Sequence, residues 1–129
     1  TEVRATLTAA RNGWKRRIIA VFQPHLYTRT QAFYQDFAIA LMESDVLLVT
    51  DVFPAREKPI EGVNGKMVAD FAEESGHRNI YYIKSLDKLE KTLDNLRQPG
   101  DMIITIGAGN IWRYAESYMN HLEKIEAAA

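Results

Sequence analysis

Short apolar runs alternate with amphipathic stretches along most of the chain. Four runs are almost entirely apolar, which is typical of strands covered on both faces of a parallel sheet. An amphipathic stretch, Thr1–Trp14, precedes the first run and carries its apolar side chains at helical spacing. The predicted strands are Ile18–Phe22, Val46–Val52, Ile80–Lys84 and Met102–Ile106.

Helices are predicted after each of the four strands, because an apolar stripe recurs there at helical spacing. Thr28 and Gln31 fit a capping box at the start of the first of them. Ser85 is placed to cap the third. The predicted stripes are Phe33, Phe37, Ala40 and Leu41 in Gln31–Glu43; Met67, Val68, Phe71 and Ala72 in Lys66–Ser75; Leu86, Leu89, Leu93 and Leu96; and Ile111, Ala115, Tyr118, Leu122 and Ile125.

Strands that alternate with helices predict crossover connections and a parallel sheet with helices on both faces. The expected fold class is α/β, a three-layer Rossmann-like domain with a mostly parallel sheet. The glycines at Gly107 and Gly109 follow the last strand and lack the third glycine of a dinucleotide fingerprint. The pattern therefore predicts the layered fold without a dinucleotide site.

Composition narrows the function classes. The chain has 129 residues, enough for one domain, and a net charge of -1, which favours neither nucleic acid nor an anionic membrane. No apolar run approaches the roughly 20 residues of a membrane span. Cysteine is absent, which excludes thiolate chemistry and is compatible with the cytoplasm, the expected location. The chain begins almost inside a predicted helix, as a domain cut from a longer protein would.

Polar side chains cluster where the first strand gives way to a helix, at His25, Tyr27, Thr28 and Arg29. The carboxyl edge of an α/β sheet is where ligands bind, and a helix start offers amides that suit an anion. Arg29 has a planar fork that fits a carboxylate or phosphate, and His25 can add a donor. The cluster predicts an anion receptor. The alternative is that His25 caps the helix and Arg29 pairs with a surface acid.

Other positions at the same edge are weaker candidates. Asp51 ends the second strand, where capping a turn is favoured over holding magnesium-bound phosphate. The connection from Phe53 to Gly65 contains Glu57 and is longer than most connections, so it is a candidate functional loop. The segment Gly107–Asn110 fits a close backbone approach to a ligand as well as it fits a plain turn.

No catalytic residue and no metal site are predicted. The chain shows no evident pair of base and nucleophile. Its histidines, His25, His77 and His121, are far apart in sequence, and His121 is expected on a solvent-facing helix surface without a special role.

The segment Phe-Gln-Pro-His-Leu-Tyr-Thr-Arg-Thr at residues 22–30 resembles a motif of the Mur ligases. Residues 1–3, 57–63 and 107–111 also match that family in order. The resemblance covers nearly the whole chain and implies the C-terminal domain of a three-domain enzyme. The N-terminal domain for the UDP-sugar and the central ATPase domain would lie outside residues 1–129. Consistent with this, no Gly-x-x-x-x-Gly-Lys-(Ser/Thr) phosphate loop occurs in these residues.

The resemblance is strongest to the branch that joins L-alanine to UDP-N-acetylmuramate in peptidoglycan synthesis. It implies that ATP and Mg²⁺ serve the full enzyme and are bound mainly by the central domain. It also implies that His25 and Arg29, with Tyr27 and Thr28 beside them, hold the alanine carboxylate. Some relatives carry an arginine where this chain has Leu26, which leaves more of that task to Arg29. Asp51, Glu57, Gly107, Gly109 and Asn110 would lie near the nucleotide or the closed domain interface.

The resemblance implies a lid-forming domain whose partners are L-alanine, UDP-N-acetylmuramate, ATP and the other two domains of its own chain, with no nucleic acid or membrane. The isolated domain is expected to be inactive. Three alternatives remain at this point. They are the same domain of a recycling ligase that attaches a tripeptide to the same sugar, a non-catalytic anion-binding module, and a bare structural domain.

Overall fold

The structure, a computed structural model, describes residues 7, 13 and 16–128. Leu7 and Gly13 are helical, and Leu7 is fully buried. The rest of the predicted helix Thr1–Trp14 lies outside the described residues.

Four strands and four α-helices alternate in the described chain from residue 16 onward. Two short 3₁₀ turns, Leu41–Glu43 and Leu86–Lys88, adjoin the first and third helices. In chain order the elements are β1 Ile18–Phe22, α1 Tyr27–Ala40, β2 Val46–Thr50, α2 Lys66–Glu74, β3 Ile80–Ile83, α3 Leu89–Leu96, β4 Met102–Ile106 and α4 Ile111–Ala128.

The four strands form one parallel sheet in the order β3-β2-β1-β4. This confirms the predicted α/β class. The chain steps outward from β1 through β2 to β3 and then crosses to the other side of β1. The order therefore reverses between β1 and β4, and ligands of open α/β sheets bind outside the carboxyl ends of the strands at such a point.

The core has two layers, one on each face of the sheet, because neighbouring side chains of a strand point to opposite faces. Both β1 and β2 are buried along their whole length. One layer joins Ala20, Phe22, Leu47 and Val49 to α1 and α2. The other layer joins Ile19, Val21, Leu48 and Ile83 to α3 and α4.

The bounds of α2 agree with the predicted Lys66–Ser75 to within one residue, but the start of α1 does not agree with its prediction. The helix begins at Tyr27, four residues before the predicted Gln31. The capping box of Thr28 and Gln31 is wrong, because both residues already lie inside the helix and the N-cap, Leu26, makes no side-chain capping bond. Phe33 was expected to face inward and is 50% exposed.

Candidate functional site

The turn between β1 and α1 adopts an unusual backbone conformation. Leu26 has φ 69° and ψ 135°, in the left-handed half of the map that leucine rarely occupies. Its amide donates to the Phe53 carbonyl (2.9 Å), and its carbonyl accepts from the amide (3.0 Å) and hydroxyl (2.8 Å) of Thr30. Three hydrogen bonds thus hold this turn in place.

The start of α1 is capped by an acid from another loop. One carboxylate oxygen of Glu57 accepts from the amides of Tyr27 (2.5 Å) and Thr28 (3.2 Å). The other accepts from the Thr28 hydroxyl at 2.5 Å. The Thr28 hydroxyl, together with the two amides and the nearby His25, lowers the pKa of Glu57. The helix-start amides that were expected to serve an external anion are therefore occupied by the protein's own carboxylate.

Phe53 joins the loops that follow β1, β2 and β4. Its amide donates to the Pro24 carbonyl at 2.8 Å, and its ring stacks on the ring of His25 with centroids 5.8 Å apart and planes at 13°. On Gly109 a Cβ would lie 2.5 Å from the Phe53 ring, so only glycine fits there without a shift. His25 and Gly109 are thereby brought to one aromatic side chain.

Arg29 is exposed on the first turn of α1. Its guanidinium carbon lies 5.9 Å from the centre of the Phe37 ring, two turns further along the helix. His25 contacts Phe53 instead, so the two predicted anion-binding residues share the carboxyl edge but rest on different aromatic neighbours. Both are accessible in part, and their joint role stays a prediction.

Gln23 lies at the point where the strand order reverses. Its side chain is 3% exposed. Its side-chain nitrogen Nε2 donates to the Asn110 side-chain oxygen at 2.7 Å. Its side-chain oxygen Oε1 accepts from the backbone amide of Ile111 at 3.1 Å. Because Ile111 is the first residue of α4, Gln23 ties the end of β1 to the start of that helix. A Cβ on Gly107 would lie 2.9 Å from the Gln23 carbonyl oxygen, so this loop also packs tightly.

Asp51 follows β2 and braces the beginning of the long connection against its end. One of its carboxylate oxygens accepts from the amides of Val52 (2.9 Å) and Gly65 (3.1 Å). Gly65 sits so close to β2 that a Cβ would lie 1.9 Å from the Thr50 carbonyl oxygen. Burial, followed by the charge of Asp51 and a hydrogen bond to it, raises the pKa of Tyr82 to about 12. Asp51 thus has the contacts of a turn-capping residue.

A cavity of about 800 Å³ opens at the carboxyl edge beside these loops. It extends from the reversal point toward the β3–α3 loop. Gln23, Asp51, Phe53 and Asn110 line it, whereas His25 and Arg29 are not among its described lining residues. The cavity therefore adjoins the predicted anion receptor and shares Phe53 with it.

One cluster of possible metal ligands occurs in the described part of the chain, away from the predicted receptor. It consists of Glu90, Asp94 and His121. One ring nitrogen of His121 lies 3.0 Å from Glu90 and the other 2.8 Å from Asp94. The histidine of α4 thus bridges two carboxylates of α3 and is only partly exposed, whereas the sequence predicted a solvent-facing position.

Sequence reasoning missed four features of this edge. The pattern of apolar residues gives Gln23 no role beyond the end of the first strand, although an amide side chain directly before a proline is a usable signal. The sequence predicts Phe53 only as the first residue of a loop. The capping role of Glu57 spans about thirty residues, which local patterns do not reach. The left-handed conformation of Leu26 has no counterpart in its residue type.

Comparison with known proteins bears on the family. The family model of the Mur ligase, glutamate ligase domain, matches residues 1–109. The chain belongs to this family. The resemblance noted at residues 22–30 is therefore confirmed, and the layered parallel sheet is consistent with such a domain.

Individual relatives point to one branch of the Mur ligases. The chain is 48% identical over 124 residues to the UDP-N-acetylmuramate–L-alanine ligase of Salinibacter ruber, covering 95% of the chain and 26% of the relative. It is 42% identical to the ligase of that name from Geotalea uraniireducens, and the match covers 95% of the chain and 27% of the relative. It is 40% identical to the ligase of that name from Geobacter sulfurreducens, and the match covers 98% of the chain and 28% of the relative.

The chain is thus homologous to UDP-N-acetylmuramate–L-alanine ligases and spans about a quarter of the length of these relatives. Among the described helices, none is long and apolar enough to cross a bilayer.

Proposed function

We propose that this chain is the amino-acid-binding and lid-forming C-terminal domain of a cytoplasmic, ATP-dependent ligase that joins L-alanine to UDP-N-acetylmuramate. The observation that carries the proposal is the 48% identity to an alanine-adding ligase over 95% of the chain. The polar carboxyl edge supports it, since a domain that receives a small charged substrate needs such an edge.

In this proposal Arg29 and His25 hold the carboxylate of alanine. The guanidinium supplies two parallel donors to a carboxylate, and the imidazole adds a third. Tyr27 and Thr28 shape the turn between them. Because Glu57 already occupies the amides of Tyr27 and Thr28, the substrate carboxylate relies on side chains rather than on the helix start.

Phosphoryl chemistry is assigned to the rest of the enzyme. The chain contains no phosphate loop, and the carboxylates of Asp51 and Glu57 already accept hydrogen bonds from backbone amides. ATP and Mg²⁺ are therefore proposed to bind mainly to the central domain, where the sugar carboxylate becomes an acyl phosphate. This domain closes over that site and holds alanine so that its amine attacks the acyl carbon and phosphate leaves. The contribution of this domain is position and exclusion of water.

The direct test is steady-state kinetics of the full-length protein with Arg29→Ala. Loss of a charged hydrogen bond costs about 2 kcal/mol, so the KM for L-alanine should rise about 30-fold. The KM for ATP should stay as it is. Arg78→Ala is a matched control, because Arg78 is also exposed but precedes β3 at the opposite edge of the sheet.

An unchanged KM for alanine in Arg29→Ala would remove Arg29 from the site. The domain assignment has its own test. The isolated 129-residue chain should consume no ATP in the presence of UDP-N-acetylmuramate and L-alanine, and turnover by this chain alone would refute the assignment.

A further inference from the structure

The first turn of α1 lacks a local cap. Its N-cap residue is Leu26, which makes no side-chain capping bond, and the first turn holds no acidic residue. The first amides of a helix have no partner within the helix and need one from outside. The sequence around α1 therefore leaves these amides to a residue from elsewhere in the chain.

Glu57 supplies that partner through three hydrogen bonds, to the amides of Tyr27 and Thr28 and to the Thr28 hydroxyl. A carboxylate at a helix start is also favoured by the helix dipole. The loop that carries Glu57 is itself fixed to the same turn by two backbone hydrogen bonds. The Leu26 amide donates to the Phe53 carbonyl, and the Phe53 amide donates to the Pro24 carbonyl. The β1–α1 turn is thus held on both sides by the 53–57 segment.

The residues held in this way flank the proposed substrate carboxylate site. His25 precedes the strained Leu26, stacks on Phe53 and interacts electrostatically with Glu57. Arg29 follows Thr28 directly. Any change in the path of residues 26–28 would move the imidazole and the guanidinium relative to each other.

We propose that Glu57 is a positioning residue for amino-acid binding, which holds the turn at residues 26–28 so that His25 and Arg29 meet one carboxylate. This inference rests on the proposed function. Glu57 touches no substrate itself. It also fills the helix start, so that the substrate carboxylate is directed to the two side chains and not to the amides of Tyr27 and Thr28.

The test compares Glu57→Ala and Glu57→Gln in the full-length protein, with Glu61→Ala as the matched control. Glu61 is an exposed acid of the same connection. Because small displacements of binding groups are costly, Glu57→Ala should raise the KM for L-alanine about tenfold or more. The change in kcat and in the KM for ATP should stay within about twofold. Glu57→Gln should have a smaller effect, since its amide oxygen still accepts from the two backbone amides.

A double-mutant cycle separates positioning from general destabilisation. If Glu57 acts by placing Arg29, Glu57→Ala should raise the KM for alanine much less in an Arg29→Ala background than it does alone. Amide hydrogen exchange of the 129-residue chain gives an independent measurement. Glu57→Ala should speed exchange at Tyr27 and Thr28, whereas the β1 and β2 amides remain protected.

Several outcomes would overturn the inference. They are an alanine KM within twofold of wild type in Glu57→Ala, fully multiplicative effects in the cycle, and unchanged exchange at Tyr27 and Thr28. Failure of the proposed function looks different. If Arg29→Ala leaves the alanine KM unchanged, the carboxylate site is wrong and the positioning role falls with it. If Arg29→Ala raises that KM and Glu57→Ala does not, only the role of Glu57 is rejected.

Discussion

Gly109 shows how a single residue type fixes the geometry of the carboxyl edge. A Cβ at this position would lie 2.5 Å from the Phe53 ring and 2.6 Å from the Gln23 side-chain oxygen. The Phe53 backbone and the Gln23 side chain are each held by two hydrogen bonds, so the strain cannot be relieved by one flexible side chain. Gly109→Ala should therefore lower the free energy of unfolding by about 1–3 kcal/mol, as overpacking usually does.

Urea unfolding of the 129-residue chain measures this change, with Gly13→Ala as the control. A Cβ on the helical Gly13 would meet nothing within 4 Å. That variant should be neutral or more stable by up to about 1 kcal/mol. Equal stability of Gly109→Ala and wild type would show that Phe53 yields easily.

The roles of residues at the carboxyl edge could be predicted from the sequence only where those roles depend on neighbouring residues in the chain. Gly107 and Gly109 stand where the backbone must come close to a neighbour. The sequence fitted a close approach to a ligand and a plain turn equally well, so it did not identify that neighbour. The answer is Gln23 and Phe53, which lie more than 50 residues earlier. Side-chain partners at that separation depend on the sheet order, which no local spacing encodes.

Asp94 links two helices through side chains that are more than 20 residues apart in the chain. It lies on α3 and accepts from the Tyr118 hydroxyl (2.7 Å) and from His121 (2.8 Å), both on α4. Burial opposes ionisation here, but these hydrogen bonds and the nearby charges of His121 and Arg97 lower the pKa of Asp94. The two helices on this face of the sheet are joined through one carboxylate.

Asp94→Ala should lower the free energy of unfolding by about 1–2 kcal/mol, because the buried Tyr118 hydroxyl loses its acceptor. Glu90→Ala removes the other carboxylate from His121 and should cost less than about 1 kcal/mol, the usual value of an exposed pair. Chemical denaturation of both variants measures the difference. The helix link would be refuted if the two variants were equally stable.

The elements themselves were largely predictable, and the exception is instructive. The strands follow from apolar runs that are buried on both faces, which local composition encodes directly. The helix α1 starts earlier than predicted because Glu57 stabilises its first turn from another loop. A capping box at Thr28 and Gln31 requires only local residues and so can be predicted from spacing, whereas the actual cap of Thr28, Glu57, lies 29 residues away.

At the scale of the whole molecule, alternation of strands and helices predicted the parallel sheet and its two helical layers. It did not predict the strand order β3-β2-β1-β4, which places Gln23 and Asn110 together at the reversal point. The family motif and the layered pattern located the polar edge correctly. The cavity beside it depends on how four separate loops pack, and so could be seen only in the structure.

The same packing should shape the pH dependence of stability. Glu57 and Asp94 have folded-state pKa values below their ordinary 4.5 and 3.8. Such groups stabilise the fold above their ordinary pKa, and that contribution is lost as pH falls through the folded value. The pKa values of Tyr82 and Tyr118 are raised from 10.0 to about 12. Their contribution is complete below pH 10 and is lost as pH rises toward 12.

The melting temperature should therefore fall below about pH 4.5 and again above about pH 10, with the alkaline decline tied to two phenols. Removing both ionisable hydroxyls in Tyr82→Phe with Tyr118→Phe should lower stability at neutral pH, since Asp94 loses the hydrogen bond that the Tyr118 hydroxyl donates. The same variant should flatten the decline between pH 10 and 12, because the two groups that titrate there are gone.

Tyr81→Phe is the control, since Tyr81 is 42% exposed on the same strand as Tyr82. Thermal unfolding at pH 7, 10 and 11 measures the slopes, and parallel declines in the double variant and wild type would contradict the assignment.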